Sequence, residues 1–498
     1  MKKLLLLTSF LFTLTFYAQN NPDFYLAPNG VTCLCPEADF GDTGTLTING
    51  ETKTFTKRTR EQLDALIDND DQDSQITLTC TSGITDMESM FSEATSFNQP
   101  LDNWDVSQVT DMYAMFFGAT SFNQPLNNWD VSQVTSMVFM FGFASLFNQP
   151  LDNWDVSNVT DMKSMFTKAT SFNQPLNSWD VSNVTNMRSM FNRAESFDKH
   201  LDSWNVLNVS NMAIMFYGAL SFNQSLDNWD VSQVTNMNYM FNLASSFNQP
   251  LDNWDVSQVT DMKFMFDRAS SFNQPLNNWD ISNVTNIRGM FFEVSLFNKP
   301  LNNWNVSQVT DMGFMFGGAE SFNQPLNNWD VSLVTDMEAM FSLAKSFNQS
   351  LDNWDVSQVT NMNYMLRSAL VFNQDLSGWC VEQIPNEPQG FADFSLLQDD
   401  FFPNWGAECN LSTTKPETIG STILIYPNPS NSKVFIENDG QMILSKIKLI
   451  DMLCREIKIF SAGQITHGLD VSGVDAGNYF VQFTTVDNQQ FVKRLIVN

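Results

Sequence analysis

The chain has 498 residues, with 25 Lys plus Arg against 55 Asp plus Glu, a formal net charge of −30. That balance argues against a nucleic-acid or anionic-membrane binder, since both partners would be repelled, and favours solubility or a cationic partner. The 44 Phe, 26 Met and 13 Trp supply too much apolar surface for a disordered chain.

In chain order, residues 1–18 read as an export signal. Lys2 and Lys3 precede an apolar run from Leu4 to Phe16, with cleavage expected near Ala18. The run is short for a bilayer and no second one follows, so no transmembrane segment is expected in the mature protein. Residues 19–75 read as an N-terminal region and cap. Thr45 to Phe55 alternates around Asn49-Gly50 as a hairpin does, and Arg58 to Ile67 has a helical pattern.

From 76 to 379 a 25-residue pattern recurs about twelve times. Its tryptophans are Trp104, Trp129, Trp154, Trp179, Trp204, Trp229, Trp254, Trp279, Trp304, Trp329, Trp354 and Trp379. A unit this short cannot bury its own apolar face, so copies must stack and share one core. The segment Leu101-x-x-Trp104-x-Val106 has the spacing of a leucine-rich strand, which predicts a parallel sheet with Trp and Val inward and Asp105 outward. Met112, Met115, Phe116 and Ala119 follow at i, i+3, i+4 and i+7, which predicts a short helix with Thr110 as its N-cap. Asn123-Gln124-Pro125 is read as a turn. The predicted fold class is therefore an α/β repeat solenoid, leucine-rich-repeat-like, with a parallel sheet on one face and short helices on the other. A propeller is excluded, because its repeats need about 40–45 residues for four strands.

The pattern L-x-x-W-x-V-S-x-V-T-x-M-x-x-M-F-x-x-A-x-x-F-N-Q resembles the BspA-like leucine-rich repeats of bacterial surface proteins, and in particular their tryptophan-containing, mycoplasma lipoprotein-associated type. Asn205 and Asn305 depart from it at the aspartate, Ile287 at a methionine, Val294 at the alanine and Leu366 at the phenylalanine. The resemblance implies a surface adhesin or binding role and fixes no ligand.

Residues 380–411 read as a C-terminal cap, and 412–421 as a polar linker. Residues 422–498 alternate as a small all-β sandwich. Tyr426-Pro427-Asn428-Pro429, Ala476-Gly477-Asn478-Tyr479 and the basic last strand around Lys493-Arg494 resemble the C-terminal sorting domain of type IX secretion. That resemblance implies passage across the outer membrane and a secreted or cell-surface destination, with the secretion machinery as a partner.

Five of the six cysteines flank the repeats, and export permits disulfides. Cys380 with Cys409 is the expected staple after the last tryptophan, and Cys80 is expected to pair with Cys33 or Cys35. No nucleophile motif accompanies His200 or His467, and no phosphate loop occurs, so the chain is read as non-enzymatic. Two surfaces remain as candidates. One is the aspartate column Asp105, Asp130, Asp155, Asp180, Asp230, Asp255, Asp280, Asp330 and Asp355, read as a concave ladder. Like charges about 5 Å apart repel by roughly 1 kcal/mol in water, so hydrogen-bond donors or a cation such as calcium must compensate. The other is an aromatic stripe of Tyr113, Phe139, Tyr239, Phe264, Phe314 and Tyr364 on positions that vary between copies. The functional expectation is a surface-displayed protein acting in adhesion or protein recognition, with a protein or glycan ligand outside the cell. The alternatives are a carbohydrate-binding module and a calcium-dependent scaffold. No firm cofactor or metal site is expected.

Overall fold

The computed structural model describes residues 21–408 and, further on, 423–426, 430, 432–438, 444–451, 455–461, 468–485 and 490–497. The expected export signal, the linker, Cys409, Cys454, His467 and the Pro427-Asn428-Pro429 motif lie outside the described residues. The chain divides into two compact units, Met1–Ala407 and Glu408–Asn498.

The first unit opens with a cap. Strand β1 (Tyr25–Leu26) pairs antiparallel with β2 (Cys33–Leu34). Strands β3 (Thr43–Ile48) and β4 (Glu51–Lys57) form a hairpin through Asn49 and Gly50, whose φ angles of 51° and 84° suit a two-residue turn. Helix α1 (Arg60–Asn69) follows, shifted by two residues from the sequence reading, and Thr59 with Gln62 forms a reciprocal capping box at its start. Strand β5 (Thr79–Cys80) then runs parallel to β4. Cys35 is bonded to Cys80, which leaves Cys33 free and buried. Burial, and then the charge of Asp105, push the Cys33 thiol up to about 12, so it stays protonated and unreactive. Cys380 is disulfide-bonded.

The repeats dock as stacked coils with one continuous core. Every tryptophan from Trp104 to Trp379 is at most 5% exposed, and the coils bury a Leu, two Val or Ile, a pair of Met and the phenylalanines, with Ile287 and Leu366 as buried replacements for a Met and a Phe. Rings repeat in register: Trp129 and Trp154 lie 6.5 Å apart and 2° from parallel, and Phe116 and Phe141 lie 5.6 Å apart. From Trp129 on, each repeat indole N–H donates to a leucine carbonyl one coil back, as Trp129 does to Leu101 at 2.9 Å, and Trp104 donates to the Ile76 carbonyl at 3.2 Å. The ring's one polar atom is thereby satisfied in a dry core.

The secondary structure inside each coil differs from the sequence reading on two points. The Leu-x-x-Trp-x-Val segment is a succession of turns, not a strand; the inter-coil pairing lies later, in single parallel bridges along the column Asp111, Ser136, Asp161, Asn186 and onward. The methionine segment is not a helix. Its residues form consecutive four-residue turns, such as Met115 N–H to Met112 O at 3.2 Å and Ala119 N–H to Phe116 O at 3.1 Å. The third residue of each turn is left-handed, as at Ala114 (φ 51°) and Gly118 (φ 70°). Alternate amides then point along the stack: Met112, Ala114, Phe116 and Gly118 donate to carbonyls of Ser136, Val138, Met140 and Gly142. The stack wins over a helix because most of these amides are satisfied in their own turn, by the next coil or, as at Tyr113, by the Asp111 side chain. The threonine column is likewise no N-cap. Thr110 donates through its amide and its hydroxyl to the Thr85 carbonyl of the preceding coil, at 2.9 and 3.4 Å.

A ladder needs an end. In the first coil the Asp86 and Glu88 carbonyls have no preceding coil to accept from. Arg60 of α1 donates to both, at 2.9 and 2.7 Å, while Asp64 holds its guanidinium through Nε at 2.7 Å. Arg60→Ala should therefore cost about 1–2 kcal/mol, by the worth of hydrogen bonds to a charged donor. Amide exchange should accelerate first in residues 86–94, and unchanged protection there would refute the capping role. At the other end Tyr364, Leu366 and Ser368 donate to Gln389, Phe391 and Asp393, and the Trp405 ring meets Phe391 edge-on at 4.9 Å.

The second unit is a pair of sheets over a shared core of Val434, Ile447, Leu449, Phe460, Leu469, Val481, Phe483 and Leu495. One sheet has the order β10 (Leu469–Asp470), β7 (Lys433–Asn438), β6 (Ile423–Tyr426); the other is β12 (Gln490–Val497), β11 (Gly477–Thr485), β8 (Leu444–Asp451), β9 (Glu456–Ser461). The Tyr479 hydroxyl donates to the Asp475 carbonyl at 2.9 Å, which fixes the turn leading into β11.

Candidate functional site

The aspartates of the Trp-Asp-x-Ser segment occupy turns rather than a sheet face. Each spends Oδ1 on the amide two residues on: Asp130 on Ser132, Asp155 on Ser157, Asp180 on Ser182, Asp230 on Ser232, Asp255 on Ser257, Asp280 on Ser282, Asp330 on Ser332 and Asp355 on Ser357, all at 3.0–3.1 Å. Hydrogen bonds from the following serine hold the Asp180, Asp230 and Asp280 carboxyls below the usual aspartate range. Asp105 differs, being buried against the cap with Ser82 and Ser107 on its oxygens. The compensation demanded by a column of like charges is thus local. Among the described residues, no group of three or more His, Cys, Asp or Glu is placed to hold a metal ion.

A second polar column was missed as anything more than a turn. Asn148 Oδ1 accepts from the Asn173 amide and from Gln174 Nε2, both at 2.9 Å, and the pattern recurs from coil to coil. Asn98, Asn123, Asn148 and Asn173 recur at 25-residue spacing. That recurrence of one amide type was the available signal.

The variable positions fall between the core residues of the turn ladder, as Lys163 and Ser164, then Thr167 and Lys168, do in one coil. Phe139, Tyr239, Phe264, Phe314 and Tyr364 share one column, every one left-handed with φ between 54° and 60°. Tyr113 is exposed and sits one residue earlier in its own coil, with its ring edge-on to Phe139 at 6.3 Å. The rings lean along the stack. Tyr239 stacks on Phe264 at 5.1 Å, and a Cβ added at Gly289 would meet the Phe264 ring at 2.3 Å. The face is therefore not one aromatic stripe. Tyr113, Phe117, Phe139 and Phe143 form one group, and Phe117 contacts both Phe139 and Phe143. Lys163, Lys168, Arg188 and Arg193 follow, then Tyr217, Tyr239 and Phe264.

Beyond these lies an ionic group that no repeat pattern announced. Arg288 donates to Asp311 at 3.3 Å, Asp336 at 3.2 Å and Glu338 at 2.8 Å, with its guanidinium 4.8 Å from the Phe314 ring. Arg268 pairs with Glu293 at 2.7 Å. Beside it Asp267 is buried. Its Oδ2 accepts from Asn242 at 2.8 Å, and its Oδ1 has no hydrogen-bond partner. Burial pushes this carboxyl up to about 6, against the opposing pull of Arg268 and Asn242.

Comparison with known families bears on both units. The model described as "Mycoplasma protein of unknown function, DUF285" matches residues 62–163, 150–246, 198–302, 221–329 and 287–405, which together span most of the chain. The chain belongs to the DUF285 family. The DUF285 stretch coincides with the stacked coils, and a leucine-rich-repeat type is not what the match describes. A second model, a secretion system C-terminal sorting domain, matches residues 424–498. This DUF285 protein thus carries the tail of type IX secretion, the route that takes a chain to the cell surface or the medium. No curated protein and no solved structure matches it. Among the described residues no helix is long and apolar enough to cross a membrane.

Proposed function

We propose that this chain is a non-catalytic recognition protein, displayed at the cell surface, that binds an external ligand through the variable face of its coils. The observation that carries this reading is the contrast between columns. Core positions barely change from coil to coil, whereas the outer positions vary and gather aromatic and cationic side chains. A stack needs uniform core residues to keep register, but nothing in stacking calls for aromatics and cations at its outer positions, and aromatic and arginine side chains are enriched where interfaces form. Repetition adds avidity, since several weak contacts on one rigid stack act together. The sorting tail supports display outside the cell.

The test is binding of the secreted protein to cells or extracellular matrix. Replacing Phe139, Tyr239 and Phe264 together by alanine should weaken it by at least about tenfold, if each ring contributes as interface aromatics do. Unchanged binding would remove the variable face from the interface.

A further inference from the structure

Cations are scarce on an array this acidic, yet four gather on two consecutive coils. Lys163 and Lys168 lie one coil before Arg188 and Arg193 in the same two outer columns. Successive coils of a parallel ladder are about 4.8 Å apart, so Lys163 neighbours Arg188 and Lys168 neighbours Arg193. Of the seven other cations in the repeats four are ion-paired, Lys263 with Asp261, Arg268 with Glu293, Arg288 with three carboxylates and Lys345 with Glu320, while Lys199, Lys299 and Arg367 are scattered singly. Among the described residues Lys163, Lys168, Arg188 and Arg193 form no ion pair. Asp161, the acid nearest Lys163 in sequence, spends its oxygens on the Lys163 backbone amide and on Asn186.

Between the cations lie small polar groups. Ser164, Thr167 and Ser189 are 4%, 5% and 7% exposed, and neither serine hydroxyl has a hydrogen-bond partner among the described residues. Asn192 completes the set. Its buried Oδ1 has no partner, so the amide can turn toward a ligand without losing a bond there. Aromatic rings bound the patch on both sides. Lys163 lies 6.0 Å from the Phe139 ring and Lys168 4.4 Å from Phe143, while Arg193 lies 5.5 Å from Tyr217.

We propose that this patch binds an acidic saccharide, with Lys163, Lys168, Arg188 and Arg193 holding a sulfate or carboxylate substituent. Ser164, Ser189 and Asn192 meet sugar hydroxyls, and the flanking Phe143 and Tyr217 rings pack against the sugar faces. Four unpaired like charges repel one another unless an anion joins them. A bare ion would leave the hydroxyls, the amide and the rings without a role. An extended polyanion such as nucleic acid is disfavoured by the chain's net charge of −30 and by a patch only two coils long. The inference rests on the variable face being the recognition surface, and names the chemistry of its ligand.

The experiment is calorimetric titration of the secreted protein with a heparin-derived hexasaccharide, an oligogalacturonate, a neutral cello-oligosaccharide and a poly-glutamate peptide. A Lys168→Gln/Arg193→Gln variant is compared with Lys345→Gln, which removes a cation outside the patch; thermal unfolding confirms that both are folded. The expected result is binding of one or both acidic saccharides but not the neutral one, weakened at least about tenfold and made less salt-sensitive in the double variant alone. A response to the sulfated probe only, or to the uronate only, identifies the substituent. Absence of binding to both acidic saccharides, equal binding by the double variant, or tighter binding of poly-glutamate would overturn the proposal. If the alanine variant of Phe139, Tyr239 and Phe264 still lost cell or matrix binding in that case, the recognition reading would stand and only the saccharide would fall.

Discussion

Trp204→Ala is expected to destabilise the array by about 3–5 kcal/mol, in the range of large aromatic deletions from packed cores. Trp204 is 3% exposed, lies 6.3 Å from Trp229 at 3° from parallel, and 6.3 Å from Phe191. Its indole N–H donates to the Leu176 carbonyl at 2.9 Å, but that carbonyl also accepts the Trp179 amide at 3.1 Å. Loss of the donor alone therefore costs only about 1 kcal/mol, and the cavity dominates. Trp204→Phe separates the two, because it keeps most of the bulk and drops the donor. In a stack each coil touches only its neighbours, so a defect near the middle should also uncouple the two halves. Denaturant unfolding should pass from one transition to two, or broaden with a lower slope. A single sharp transition shifted by less than 1 kcal/mol would mean that the rings do not form a shared core.

The same physics explains what was legible in the sequence. Trp204 and its eleven counterparts recur at fixed pitch, and burial of a large apolar ring needs no geometric refinement to foresee. The methionine segment shows the limit. Met112, Met115, Phe116 and Ala119 fit a helical period of 3.6, but over eight residues that period cannot be told from a four-residue turn repeated twice. The deciding evidence was in the outer positions. Left-handed backbone at Phe139, Tyr239 and even Ile214 (φ 64°) goes against the preference of each residue, and only cross-coil hydrogen bonding sustains it. Propensity read along one coil cannot see a bond to the next. Asp130 and its counterparts were visible as a column, but their role as turn acceptors depended on where the following serine amide points. Arg288 and Asp267 occur once each, so the repeat offered no template for them. Lys163 and Arg188 lie 25 residues apart in variable columns, a coincidence that gains meaning only once the coils are stacked.

Asp267→Asn should raise stability at pH 7 by about 1–3 kcal/mol and erase part of the protein's pH dependence. The carboxyl is moved from its ordinary 3.8 to about 6 chiefly by burial. The opposing cation is weak, since Arg268 Nε lies 4.0 Å from Asp267 Oδ1 but 2.7 Å from Glu293. Arg268 is thus committed elsewhere, and Asn242 is the single donor to the buried group. For an acid whose folded-state value is raised, the folded chain holds a proton that the unfolded chain has released between about pH 4 and 6. Stability therefore falls as pH rises through that window, and the whole penalty is present above it. Two pH units would correspond to a ceiling of about 3 kcal/mol, which water reaching the edge of the site lowers. Asparagine keeps the shape and an acceptor for Asn242 while never carrying charge. The quantity to measure is the difference in unfolding free energy, variant minus natural chain, from pH 4 to pH 7. Subtraction cancels the repulsion common to an acidic chain, and the difference should grow across the window and level off above it. A difference that is flat with pH would show that folding leaves the carboxyl unperturbed, and a variant less stable at pH 7 would show that Asp267 is held as a stabilising anion. The carboxylate would then belong to the Arg268–Glu293 pair as an ion partner, and its burial beside the aromatic face would no longer count as a cost that the fold carries there.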